Sequence, residues 1–82
     1  MKDCLYVFYN KLSNRYESVI SQPTDAVLIN IIQHSGKFDR EKYDVCKIGI
    51  IDIDSGIVES NAPIRLDIPT FEQEKLPVEE NK

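Results

Sequence analysis

One stretch of the chain constrains its fold more than any other. Residues 44–58 read as a strongly apolar strand, a tight turn at 54–56 and the start of a second strand. Gly56 can supply the positive φ that such a hairpin turn requires. Residues 4–20 repeat this arrangement, with an aromatic strand, a polar turn and a second strand from residue 15. The pattern predicts a chain built around two β-hairpins.

A single helical segment separates the two hairpins. It should begin near Thr24, a good N-cap, with Asp25 in the first turn at the positive end of the helix dipole. It should end before Gly36, a natural residue for the position after a helix. Four apolar positions form the stripe that should face the sheet: Val27, Leu28, Ile31 and Ile32. The pattern predicts an α+β fold, in which two β-hairpins form an antiparallel sheet of about four strands with one helix across one face.

The length of 82 residues allows one domain. We expect residues 1–68 to form a single α+β domain, and residues 69–82, rich in Glu, Gln, Lys and Pro, to be a flexible acidic tail. Residues 64–68 alternate apolar and polar side chains, and either continue the fourth strand or form a separate edge strand. Eight apolar residues are predicted to be mostly buried: Leu5, Val7, Val27, Leu28, Ile31, Ile32, Ile48 and Ile50.

The charge and hydropathy of the chain argue against several functions. A net charge of −4 does not suit a protein that binds nucleic acid through a broadly basic surface. No apolar run is long enough to span a bilayer. The N-terminus lacks the apolar region of a signal peptide. We therefore expect no membrane contact and a cytoplasmic location.

No recognisable catalytic set lies in the sequence. His34 is the only histidine, without a second ligand near it. Residues 52–56 mimic the opening of a calcium loop, but the glycine comes one residue early and no Glu occupies the twelfth position. Cys4 and Cys46 have no zinc spacing and read as two buried thiols, close enough to oxidise if their strands are neighbours. We expect no enzyme activity, no metal and no cofactor.

Tyr9 and Tyr16 are the candidate contact residues for single-stranded nucleic acid. Alternation along the first strand places Tyr9 on the face opposite Tyr6. One helix covers one face of a four-stranded sheet, so the other face is solvated or pairs with another molecule. Tyrosines on that face, with Lys11 and Arg15 beside them, could stack single-stranded bases. For any single aromatic residue, a place in the core under the helix is the competing interpretation and the one that we favour.

Several short motifs follow one another in an order that is typical of one family. They are Tyr6-Val7-Phe8-Tyr9-Asn10-Lys11, Tyr16, a helix start near Thr24, Tyr43-Asp44-Val45, Ile48-Gly49, Asp52 and Ser55-Gly56-Ile57. Over residues 5–58 this order resembles the small non-structural protein of gokushovirus-type microviruses, which are bacteriophages with single-stranded DNA genomes. The chain departs from the family's usual residues at structural positions: Asn10, Val19-Ile20 and Ile51. The resemblance implies a role in phage genome replication in the host cytoplasm, and it supplies no catalytic residues.

Two hypotheses for the function remain open. The first is a non-enzymatic phage replication accessory that makes weak contacts with single-stranded DNA or with a replication protein. The alternative is a protein-binding module, a homodimer joined through sheet edges or the open face, that engages a host or phage protein with no nucleic-acid contact. The acidic charge favours the alternative, and the resemblance favours the first. In both we expect a homo-oligomer, a dimer, because a sheet with one helix leaves an edge or a face uncovered.

Overall fold

A computed structural model of the protein describes residues 1–69, in which four strands and one helix follow one another. In chain order the elements are β1 (Lys2–Asn10), β2 (Arg15–Gln22), α1 (Asp25–Ser35), β3 (Tyr43–Asp52) and β4 (Val58–Arg65). All strand pairs are antiparallel, and the strand order in the sheet is β2-β1-β3-β4. The predicted α+β fold is confirmed: β1–β2 and β3–β4 are hairpins, joined through β1 and β3.

The local signals at the ends of the elements act as predicted. Thr24 caps α1, because its Oγ1 accepts a hydrogen bond from the Val27 amide at 3.2 Å. The loop between β3 and β4 is a turn, in which the Gly56 amide donates to the Asp52 carbonyl at 2.7 Å. The Asp52 carboxylate accepts from the Asp54 amide at 3.0 Å. The aspartates of the calcium-like motif therefore stabilise a hairpin turn.

Gly49 allows β3 and β4 to approach each other closely. The register between β1 and β3 shifts beside Gly49, which marks a β-bulge. A Cβ at this position would collide with the backbone carbonyl of Glu59 on β4. The sequence predicted a bulge or a close approach by the helix. The structure shows a bulge with a close approach by β4 instead.

A polar contact between α1 and the sheet sets the rotation of the helix. The hydroxyl of the fully buried Tyr6 donates to Asp25 Oδ1 at 2.5 Å. Lys47 Nζ lies 3.4 Å from the same oxygen. Tyr6 and Lys47 are register partners on β1 and β3, so their side chains leave the sheet on the same face. Asp25, in the first turn of α1, must therefore point at the sheet.

This rotation corrects the predicted apolar stripe. Leu28 and Ile32 lie on the same side of α1 as Asp25 and are buried. Val27 and Ile31 lie on the outer side and are 39% and 47% exposed. Their assignment to the core was wrong, because the first-turn aspartate and not the count of apolar residues decides which face of α1 is buried.

The rest of the predicted core is right in part. Val7 is buried, while Leu5 and Ile48 are only half-buried. Ile50 is exposed, so its assignment was wrong: it lies on β3 toward the end of the sheet that α1 does not cover. The main cluster of buried side chains consists of Tyr6, Leu28, Ile32, Val45 and Ile68.

Ile68 enters the core because the chain turns back under α1 after β4. The strand ends at Arg65, and the next amide, of Leu66, donates to the Val45 carbonyl at 2.7 Å. The Pro69 carbonyl accepts from Gln33 Nε2 at 3.1 Å. Residues 66–69 therefore close one flank of the helix and do not form a separate edge strand. Residues 70–82, most of the predicted tail, lie outside the described residues.

The two cysteines lie on neighbouring strands but on opposite faces. Cys4 is the register partner of Ile50, and Cys46 is the register partner of Val7. Cys4 and Val7 are three positions apart on β1, so their side chains leave the sheet on opposite sides. The close approach of the two thiols that the sequence allowed is therefore not formed.

The rotation of α1 predicts a large difference between two apolar positions about one helical turn apart. Leu28→Ala removes a buried side chain and should lower the free energy of unfolding by about 2–5 kcal/mol. Ile31→Ala, the matched control on the outer side, should cost less than about 1 kcal/mol. Urea unfolding followed by circular dichroism measures both. Equal losses at the two sites would show that the helix is rotated differently.

Candidate nucleic-acid interface

No helix or strand of the described residues packs on the face of the sheet opposite α1, although Val7 and Cys46 at its centre are buried by neighbouring side chains. We call it the open face. Strand pairing and alternation assign to it these side chains: Leu5, Val7, Tyr9, Tyr16, Val19, Asp44, Cys46 and Arg65. Its centre is apolar, and its charged groups lie toward the end that carries the β1–β2 turn.

The structure brings the two candidate tyrosines together on the open face. Tyr9 and Tyr16 are register partners on β1 and β2, and their ring centroids are 4.8 Å apart with planes inclined at 55°. The Tyr9 hydroxyl donates to Asn14 Oδ1 at 3.2 Å, which ties its ring to the turn. Tyr16 is 54% exposed. The competing interpretation, that these rings belong to the core under the helix, is wrong for both.

The turn between β1 and β2 is held by the buried Asn10. Its Oδ1 accepts from the amides of Leu12 and Ser13 at 2.9 and 3.1 Å. Its amide nitrogen donates to Glu17 Oε2 at 3.2 Å. Since Lys11 follows Asn10 directly, the same contacts fix where the Lys11 side chain starts. These hydrogen bonds therefore hold the turn in one conformation, which places Lys11 next to the strand end that carries the tyrosine pair.

Each candidate cation has an acidic partner. Lys11 Nζ lies 3.6 Å from Asp44 Oδ1 and donates to the Arg40 carbonyl at 2.9 Å. Arg15 Nε lies 3.5 Å from Glu17 Oε2, and its side chain is 71% exposed. Exposed ion pairs of this kind are weak, because water and salt screen them. Both cations can therefore exchange their carboxylate for a phosphate at small cost.

Arg65 is a third cation at this site, and the sequence reasoning missed it. Its Nε lies 3.5 Å from Asp44 Oδ1, and its side chain is 71% exposed. Arg65 is the register partner of Cys46, which places it on the open face two strands from Tyr9. Alternation along residues 64–68 was visible in the sequence, but the face could not be assigned before the register of β4 was known.

The charges at this end of the open face nearly balance. Two cations, Lys11 and Arg65, stand against one acid, Asp44, which leaves one positive charge in excess. Arg15 and Glu17 are the register partners of Asn10 and Phe8, so the predicted cation Arg15 starts on the α1 side of the sheet at this end and not on the open face. Burial, and then the charge of Asp44, raises the pKa of the Cys46 thiol above its usual value, while Arg65 acts in the opposite direction. The site therefore offers stacking surface with little net charge, and Cys46 beside it is a neutral thiol.

A second polar cluster lies on the other face, at the start of α1. Burial, and then the hydrogen bond to Asp25, raises the pKa of the Tyr6 hydroxyl far above its ordinary value. Burial alone would lower the pKa of Lys47, but the nearby Asp25 and Cys4 together outweigh it and the pKa is raised. The raised pKa values keep the Tyr6 hydroxyl and the Lys47 amine protonated at neutral pH, and both contact Asp25. The cluster therefore joins the helix to the sheet and offers no free acid or base.

Residues 1–69 contain no group of three or more His, Cys, Asp or Glu side chains placed to hold a metal ion. Within the same residues, no helix has the length and apolar content that a membrane crossing requires.

Comparison with known proteins adds no relative. No protein-family model matches the chain, and neither the curated proteins nor the solved structures give a significant match. The relation to the microvirus protein therefore stays a prediction from the order of motifs.

The buried tyrosine predicts a loss of stability at alkaline pH. The ordinary pKa of tyrosine is 10.0, and in the folded protein the pKa of Tyr6 is higher. Above pH 10 the unfolded chain releases this proton and the folded chain keeps it, so stability falls as the pH rises, by up to about 1.4 kcal/mol per pH unit. Lys47, whose pKa is also raised, acts in the same direction.

Urea unfolding between about pH 9 and 11.5 tests this linkage. Tyr6→Phe should be less stable at pH 9, because Asp25 loses a hydrogen bond, and should lose less stability as the pH rises. Tyr16→Phe, the control, leaves the buried hydroxyl of Tyr6 in place. Its free energy of unfolding should fall with pH as steeply as that of the parent protein. An unchanged slope in Tyr6→Phe would contradict the assignment.

Proposed function

We propose that this protein is a non-enzymatic phage protein that acts in the replication of a single-stranded DNA genome in the host cytoplasm, and that its open face contacts single-stranded DNA. One observation carries the proposal: an exposed tyrosine pair, Tyr9 and Tyr16, with Lys11, Arg15 and Arg65 at the same end of the sheet. The resemblance to the microvirus protein supports the process, and the tyrosine pair supports the ligand.

Single strands fit this face better than a duplex does. Reading duplex DNA in the major groove takes a protruding helix or ribbon, and here α1 lies flat against the other face of the sheet. An exposed aromatic ring on a sheet can stack with any unpaired base, at about 1–3 kcal/mol per base. The three cations can then contact phosphates on either side of the stacked base. This is the arrangement of a stacking platform with a weak electrostatic contribution.

The charges limit the strength of this contact. The chain carries a net charge of −4, and Lys11, Arg15 and Arg65 each have a carboxylate within 3.6 Å. A phosphate must displace these carboxylates, so few counterions are released on binding. We expect weak binding that is lost at modest salt. The proposal therefore also includes contact with a protein of the replication machinery.

The same ion pairs favour a second candidate function. If Asp44 and Glu17 keep their cations occupied, the open face is an apolar surface with a neutral rim, which suits a protein partner. In that case the protein is a binding module for a host or phage protein and does not touch nucleic acid. Binding of single-stranded DNA by the parent protein decides between the two candidates.

Reversal of two charges tests the proposed DNA contact. Lys11→Glu with Arg15→Glu should abolish binding of a labelled oligothymidylate at low salt, measured by fluorescence anisotropy. Lys2→Glu with Lys37→Glu, the control, changes the net charge by the same amount, and both lysines are absent from the open face. Unchanged binding in the first variant would remove this site. If the parent does not bind at low salt, the protein-binding candidate takes its place.

The aromatic part of the site is tested by a matched pair at one position. Tyr16→Phe keeps the ring and should bind as the parent does. Tyr16→Leu keeps an apolar side chain without the ring, and should lose about 1–3 kcal/mol of binding free energy if a base stacks there. Equal binding by the two variants would show that stacking at this position does not contribute.

Removing the acid at the centre of the site should strengthen DNA binding. Asp44 is the shared partner of Lys11 and Arg65, so Asp44→Asn frees both cations for phosphates. We expect tighter binding, and a slope of log affinity against log salt that steepens by about 0.7 for each new phosphate contact. Asp54→Asn, in the distant β3–β4 turn, makes the same charge change and should have little effect. Equal effects of the two variants would show that the change in net charge, and not the release of Lys11 and Arg65, alters the affinity.

A further inference from the structure

The outer side of α1 carries an apolar ridge that no described residue covers. Val27 and Ile31 lie four positions apart, so their side chains are neighbours on one face of the helix. They are 39% and 47% exposed. Their place outside the core follows from the contact of Asp25 with Tyr6 and Lys47, which turns the other side of α1 to the sheet. The ridge is therefore a fixed feature of the surface.

An apolar groove runs beside this ridge, between α1 and the sheet. It has a volume of about 300 Å³ and opens to solvent. Its apolar lining residues are Phe8, Ile20, Leu28, Ile31, Ile32 and Phe38. On the opposite flank of α1 the segment Leu66–Pro69 fills the corresponding space. The molecule thus presents a ridge and a groove side by side, which is the surface that a self-complementary contact needs.

One charged residue, Lys37, lines the groove, and the helix beside it carries none, in a chain where charged residues are frequent. Residues 26–36 include no Asp, Glu, Lys or Arg, although such residues make up 29% of the chain. Two copies with a net charge of −4 repel each other, and the repulsion is small at a surface with few charges, of which the groove has one, the positive Lys37. On the open face, by contrast, a second copy would have to bury Asp44 and Arg65 near its own equivalents.

Both edges of the sheet carry features that oppose strand addition. On β2 the register shifts next to Ser18, whose φ of 58° belongs to the left-handed region and marks a bulge. On β4, Pro63 has no amide to donate to a further strand. Bulges and prolines at edges are typical protections against pairing with another sheet. Association through the edges is therefore disfavoured in the described part of the chain.

We propose that a second copy of this chain docks on α1, with Val27 and Ile31 of each copy packed into the groove of the other. The contact is a twofold one, in which ridges four residues apart interdigitate as in ordinary helix pairs. An eleven-residue helix is about 16 Å long, so helix and groove bury on the order of 1,000 Å² in total. An interface of this size is at the low end for specific complexes, and it gives a weak dimer with a dissociation constant in the micromolar range.

This inference goes beyond the proposed function and does not depend on it. The dimer contact lies on the helix side of the sheet, so the open face of each copy stays accessible. A dimer would then present two tyrosine pairs on its two outer faces. Two such sites on one DNA strand would bind more tightly than one, by raising the effective concentration of the second site.

Sedimentation velocity over a concentration series tests the contact, in reducing buffer so that disulfides do not form. We expect the parent protein to pass from monomer to dimer, and Ile31→Asp to weaken the dimer at least tenfold. Val19→Asp, the control, places the same charge on the open face at a residue that is 62% exposed, and should dimerise as the parent does. High salt should not weaken the parent dimer, because the interface has no ion pair.

Other outcomes of this experiment also bear on the proposed dimer. If Ile31→Asp does not fold by circular dichroism, Asn30→Asp replaces it, since Asn30 is exposed on the same helix and contributes nothing to the core. A parent that stays monomeric at high micromolar concentration overturns the proposal. Loss of the dimer in Val19→Asp with retention in Ile31→Asp assigns the contact to the open face and also overturns it. DNA binding by monomeric Ile31→Asp reports on the proposed function separately.

Discussion

The contact of Asp25 with Tyr6 and Lys47 is the interaction on which the surface of this protein depends. Tyr6 is fully buried, and a buried hydroxyl needs a hydrogen-bond partner. The only carboxylate that α1 offers is Asp25, at its first position, and Lys47 brings a compensating charge to the same oxygen. Once Asp25 points inward, the rotation of every later residue in α1 is determined. The buried and the exposed apolar residues of the helix are assigned by this polar contact.

The open face shows a balance between stacking surface and charge. Tyr9 and Tyr16 form an aromatic pair, and Lys11, in the turn after β1, and Arg65, on β4, both pair with Asp44, the register partner of Tyr9. Asp44 lies between these cations and neutralises part of their charge, so that a chain with a net charge of −4 has only a local positive excess. Such a site favours ligands that contribute planar apolar surface and a small negative charge. Unpaired bases on a phosphate backbone have both, and this is why the proposed ligand is a single strand and the expected affinity is low.

The parts of this structure that sequence reasoning predicted depend on neighbouring residues. Thr24 begins the helix and Gly56 completes the β3–β4 turn through contacts within a few positions, so the sequence pattern identifies them. The meeting of Tyr9 with Tyr16 follows from alternation and one short turn. Arg65 was missed because its place on the open face depends on the register of β4 against β3, which includes an irregularity beside Gly49. Register across strands is a long-range property that no local pattern contains.

By itself, the sequence determined the order of two hairpins around one helix and the ends of these elements, because caps, turns and strand alternation act over a few residues. Only the tertiary structure decided which side of α1 is buried, that Ile68 joins the core, and that Asp44 occupies the cations of the open face. Each of these depends on groups that are distant in the chain and adjacent in space. The apolar pattern of α1 allowed two rotations, and the need of a buried hydroxyl for a partner selected one.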